Sequence, residues 1–139
     1  WAKERPTVVD VGRLEPGAPS AAVVEQADVV LVLARGDEGS LLRVADADLP
    51  AGRTRLVLVD GSRYTAAEIA DRTGLPVAAE VPWDARAADV VAGRRRPGRA
   101  WTRRGLPAAV RALAAGLATP PPATSPAVIR SNLGVRGEA

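Results

Sequence analysis

Three short apolar runs, at 8–11, 29–34 and 56–59, each stop at a turn signal and lead into a stretch with helical spacing. Runs this short and this rich in β-branched residues suit strands covered on both faces, because a parallel sheet between helix layers has no wet side toward which to alternate. The pattern therefore predicts repeated strand–helix units of a parallel α/β sheet, with any ligand at the carboxyl ends of the strands.

The first run closes in Thr7-Val8-Val9-Asp10-Val11-Gly12-Arg13, which sets a carboxylate at the mouth of a strand and a glycine two residues on. In phosphate-binding α/β proteins an Asp so placed holds the water shell of Mg²⁺, and the Gly lets the backbone approach a terminal phosphate. An Asp closing a strand also serves as an ordinary turn former.

The segments that follow keep a recognisable order. Ala27-Asp28-Val29-Val30-Leu31-Val32-Leu33 is a strand entered through an acid, and Glu68-Ile69-Ala70-Asp71-Arg72-Thr73-Gly74-Leu75-Pro76-Val77 is a helix, a turn and the start of a strand. Glu80-Val81-Pro82-Trp83-Asp84 ends that strand. From about position 6 to 118 this order resembles the C-terminal half of the ParA/MinD-like P-loop ATPases, the partitioning and septum-positioning family. The resemblance implies a Rossmann-like three-layer parallel sheet of the P-loop NTPase type, incomplete here, with ATP and Mg²⁺ bound in the complete protein. It implies that Asp10 orders Mg²⁺ through water, that Gly12 senses the γ-phosphate, and that Asp60, Pro82, Trp83 and Asp84 lie on the side of the nucleotide base. A homodimer, non-specific DNA binding and a cytoplasmic setting in chromosome partitioning or cell division come with it.

Two departures from the family pattern bear on chemistry. The sequence has no G-x-x-x-x-G-K-[ST], the loop that cradles phosphates. The third run ends Val59-Asp60-Gly61-Ser62, where the family usually has Asn at the adenine edge. An ionised carboxylate only accepts hydrogen bonds, so Asp60 cannot donate to a ring nitrogen as an amide does. With the lysine loop missing and Trp1 in place of an initiator Met, the chain reads as a fragment, with no catalysis and no cofactor expected of it alone.

At 139 residues there is room for one domain with a real core. Eighteen of the nineteen basic residues are Arg, Lys3 being the exception, and Ala, Gly and Pro are abundant. That bias reads as GC-rich codon usage, so the scarcity of Lys, Phe and Met carries no functional meaning. Zero Cys excludes disulfides and thiolate metal sites, and zero His removes the usual general base and zinc ligand. No segment has the roughly 18 apolar residues of a membrane span.

The coarse layout is a strand at 6–11, a Gly/Pro loop, a helix capped by Ser20 through Ala27, and a strand at 28–34. A helix follows to about Asp46, with Leu41, Leu42 and Val44 available for burial. Next come a strand at 54–60, a helix at 66–73 with the capping-box spacing Thr65-x-x-Glu68, the helix-ending Gly74, and a strand at 77–81. Asp84 caps a helix to Val91, and Leu106, Ala109, Val110, Leu113 and Leu117 mark one face of a last helix from Gly105 to Ala118. The Pro-rich stretch 119–139 reads as an extended tail, separate from a domain over 1–118.

Between the last two helices, twelve residues carry six arginines and a tryptophan: Arg94, Arg95, Arg96, Arg99, Trp101, Arg103 and Arg104. Such local charge attracts phosphates through counterion release, and an indole can stack on a base; a solvated Arg-rich loop is the plainer alternative. Three readings follow. The chain is the C-terminal part of a partitioning-type ATPase, a degenerate non-hydrolysing member of that fold serving interaction or dimerisation, or a small basic module binding DNA or another polyanion without sequence preference.

Overall fold

The computed structural model describes residues 6–13, 18–50 and 52–118; the stretch 119–139, expected as a tail, lies outside them. The elements run in the order α1 (Ala21–Gln26), β1 (Val30–Gly36), α2 (Glu38–Ala45), β2 (Thr54–Ser62), α3 (Ala66–Thr73), β3 (Val77–Val81), α4 (Ala85–Val91) and α5 (Gly105–Ala118), with one 3₁₀ turn at Trp101–Arg103. The three strands form one open sheet in the order β1-β2-β3, every pair parallel. This is an α/β, Rossmann-like architecture, as the alternation of short apolar runs and helices predicts.

The core forms where the central strand meets two helices. Leu56 and Leu58 of β2 are fully buried and cluster with Leu41 and Val44 of α2, Ile69 of α3 and Leu75 of the following turn; Val32, Ala34 and Val77 extend the cluster onto the flanking strands. Val57 and Val81 alternate away from that cluster and are buried too, so the second face is covered over β2 and β3, where α5 packs on β3. Over β1 the cover given by the described residues is incomplete. Leu33, which alternates with the core-facing Val32 and Ala34, is 67% exposed, which corrects the expectation of strands sheathed on both faces.

Local chemistry sets the helix ends. Asp37 caps α2 by accepting from Ser40 N at 2.9 Å. Thr65 and Glu68 form the reciprocal capping box at the start of α3, and Gly74 closes that helix at φ 70°, its N–H on Ala70 O at 2.8 Å. Arg53 Nη1 donates to the carbonyls of Glu25 and Ala27, each at 3.0 Å, and so ties the end of α1 to the entrance of β2. Thr54, buried at that entrance, satisfies its hydroxyl on Pro50 O at 2.8 Å.

Several expectations need correction. Residues 6–11 form no strand: Val8 is 95% exposed, and the outer edges of β1 and β3 carry no partner among the described residues. A β-rich run becomes a strand only when a neighbour supplies its ladder. Ser20 precedes α1 in helical conformation and makes no side-chain cap bond. β1 begins two residues later than expected and β2 ends two later. Leu42 and Val110 are each 48% exposed, because α2 and α5 each lie against the sheet along a narrower stripe than their apolar residues offer.

Candidate functional site

The carboxyl ends of β1 and β2 are built around a break in their ladder. Arg35 pairs with Val59, but the next residue, Gly36, pairs with Ser62, so Asp60 and Gly61 bulge out of register. Both bulged residues are left-handed, at φ 70° and 72°; Gly adopts this freely, and Asp tolerates it better than most side chains. Ser62 Oγ donates to Gly36 O at 2.9 Å and accepts from Tyr64 N at 3.1 Å, pinning the bulge on both sides.

The result is an open crevice of about 560 Å³ lined by Arg35, Gly36, Asp37, Val59, Asp60, Gly61, Ser62 and Arg63. The Asp60 carboxylate has neither hydrogen bond nor ion pair among the described residues. The Asp37 carboxylate is engaged: hydrogen bonds from the Ser40 hydroxyl and N–H hold its pKa below the ordinary value. Arg35 shares a register row with Val59 and Val81, and its guanidinium reaches across the end of β2 to lie 5.5 Å from the centroid of the Trp83 ring. Trp83 is itself 65% exposed, so cation and indole form a flat, accessible wall beside the bulge.

The residues expected on the base side are thus divided. Asp60 lines the crevice and Trp83 touches one of its lining residues, while Pro82 is exposed between the end of β3 and Trp83. Asp84 turns the other way, its Oδ1 accepting from Ala87 N at 2.9 Å to cap α4 and its Oδ2 accepting from Leu106 N at 3.4 Å in the first turn of α5. Arg35, Arg63 and the Gly36–Ser62 lock were missed in the sequence, because a register break is a property of two strands together. The Asp60-Gly61 pair was its one visible sign.

Asp10 and Gly12 lie in the segment 6–13 and are not among the crevice-lining residues. The Asp10 carboxylate accepts from Gly12 N at 2.9 Å, with Gly12 at φ 65°, the geometry of a local turn. No group of three or more potential metal-ligating side chains occurs among the described residues. Among the described residues the Asp10 carboxylate makes this local contact, which leaves its second oxygen available, and the sequence has no lysine loop to cradle a triphosphate.

The arginine-rich link is ordered by its own contacts. Arg94 Nε and Nη2 each lie 2.9 Å from Asp89 Oδ1, and Asp89 O accepts from Arg94 N at 2.8 Å and Arg95 N at 3.1 Å. Arg95, Arg96, Arg99, Arg103 and Arg104 are exposed, and Trp101 is half-buried in the 3₁₀ turn. No helix among the described residues is long and apolar enough to cross a membrane.

No family model matches the chain, and no curated protein matches it. Among solved structures it is similar to a ParA family ATPase from Chlorobium tepidum TLS, with 21% sequence identity and a TM-score of 0.45 over 70% of this chain. The chain spans 43% of the length of that protein, and the likeness concerns the fold alone.

Proposed function

We propose that the chain is the base-side, C-terminal part of a ParA/MinD-like nucleotide-dependent positioning protein, binding a nucleotide through its base without hydrolysing it alone, and acting on DNA or a protein complex. The observation that carries this reading is the Arg35–Trp83 wall across the end of β2, beside the Asp60–Gly61 bulge. It stands at the carboxyl ends of parallel strands, where α/β sheets take their ligands, and an indole backed by a guanidinium offers a stacking face for a base. The order of segments from Asp28 to Asp84 supports the same family on sequence grounds.

Trp83 emission provides the test, read in a Trp1→Phe/Trp101→Phe background and titrated with ATP and, separately, GTP. Saturable quenching that is weakened in Arg35→Ala is expected. Unchanged emission at millimolar nucleotide would overturn base binding.

A second reading, a non-hydrolysing interaction or dimerisation module of the same fold, has its own observation in the open face of β1, where Leu33 and Val29 are exposed. Concentration-dependent sedimentation abolished by Leu33→Glu would support it.

A further inference from the structure

A second cavity, of about 280 Å³, is lined by Asp84, Arg86, Val90, Arg99, Trp101 and Arg104 among others. Arg86 comes from α4, Arg99 and Trp101 from the link, and Arg104 from the entrance of α5, so the cavity exists only when these segments are folded together. Arg86, Arg99 and Arg104 form no ion pair and no side-chain hydrogen bond among the described residues. The one carboxylate on the wall, Asp84, is already engaged by the N–H groups of Ala87 and Leu106. Three arginines with no partner among the described residues thus line one cavity together with the half-buried Trp101.

The backbone holds the indole there. Ala100 sits in the left-handed region at φ 59°, turning the chain so that Trp101 N donates to Gly98 O at 3.3 Å and Arg103 N to Ala100 O at 2.9 Å. Gly98 lies against Arg86: a Cβ built at position 98 comes within 3.7 Å of Arg86 Nη2. By contrast Arg94, the first of the densest run of arginines, is committed to Asp89.

We propose that this cavity binds one nucleotide unit of single-stranded nucleic acid, its base against Trp101 and its phosphate among Arg86, Arg99 and Arg104. Duplex phosphates can be met by any convex basic loop, but a stacked base pair cannot present its face to an indole recessed in a pocket. Only an unstacked base reaches it, and a cationic groove with an aromatic platform is the recognition mode of single strands. The inference deepens the nucleic-acid part of the proposed function by naming the strand class, and it adds Arg86, which the basic run does not contain.

The test compares a fluorescein-labelled oligothymidylate with a blunt duplex of the same length, by anisotropy on the full chain over a range of salt. The oligothymidylate is expected to bind more tightly. Trp101→Leu should weaken its binding by about 5- to 140-fold, the range for loss of one stacked base, without altering the salt dependence. Trp101→Phe should restore most of the affinity, and Arg86→Ala should lower the salt slope by about 0.7, the value per phosphate contact on a single strand. Circular dichroism verifies that each variant is folded; should Trp101→Leu fail to fold, Gly98→Val, which fills the cavity beside Arg86, replaces it with the same expected loss. Duplex binding that equals or exceeds single-strand binding and ignores Trp101 overturns this inference alone. Absence of any nucleic-acid binding at low salt overturns it together with the DNA part of the proposed function.

Discussion

Ser62 and Gly36 meet where the β1–β2 ladder changes register: the Ser62 hydroxyl donates to Gly36 O at 2.9 Å, and a side chain at position 36 would collide with Ser62 Cβ and the Gly61 carbonyl. Gly36 is buried, so the contact cannot relax into solvent. Gly36→Ala should therefore destabilise the fold by about 1–3 kcal/mol, the usual cost of overpacking a closed site. Ser62→Ala removes one partly buried hydrogen bond and should cost about 1 kcal/mol. Urea unfolding gives both values, and a Gly36→Ala variant as stable as the parent would show that the bulge is loose.

Asp84 joins two helices through one side chain, capping α4 and holding Leu106 N in the first turn of α5. Asp84→Ala is expected to cost about 1 kcal/mol as a lost helix cap. Hydrogen exchange should also quicken at both Ala87 and Leu106, since both amides lose their acceptor. Faster exchange at Ala87 alone would mean that the Leu106 contact, at 3.4 Å, holds nothing.

Acid should loosen the starts of α2 and α3 before the rest. Glu68 is held below its ordinary pKa by the Thr65 N–H and hydroxyl, and Asp37 by the Ser40 hydroxyl and N–H. Because the folded values lie below the unfolded ones, their stabilising effect is complete above the unfolded carboxylate range and is lost as pH falls through the folded values. Glu68→Gln should flatten the acid side of the stability–pH curve by lowering neutral-pH stability slightly while leaving low-pH stability little changed. An unaltered acid limb in that variant would assign the pH dependence to other carboxylates.

The chain by itself is expected to show background ATP turnover only, since a phosphate clamp and its lysine supply most of the transition-state charge stabilisation in this chemistry and the sequence contains neither. A phosphate-release assay on the purified chain decides this. Turnover abolished by Asp10→Ala would overturn it and restore Asp10 to a catalytic position.

Local sequence was enough for the helices and, to within two residues at either end, for all three strands. The Thr65-Ala66-Ala67-Glu68 box, Gly74 and Asp84 fix their helix ends through contacts spanning three or four residues, and α3, β3, α4 and α5 stand where those residues placed them. What depends on partners distant in sequence was settled only by the tertiary structure. Among the described residues the run at 8–11 has strand composition but no neighbouring ladder, and Leu33 has core composition but stays exposed. The Arg35–Trp83 wall joins residues 48 positions apart, and Arg86 meets Arg99, Arg104 and Trp101 only after α4, the link and α5 have packed. Propensity and capping act within one turn of chain, whereas a crevice or a cavity is made of side chains whose nearness is a consequence of the fold.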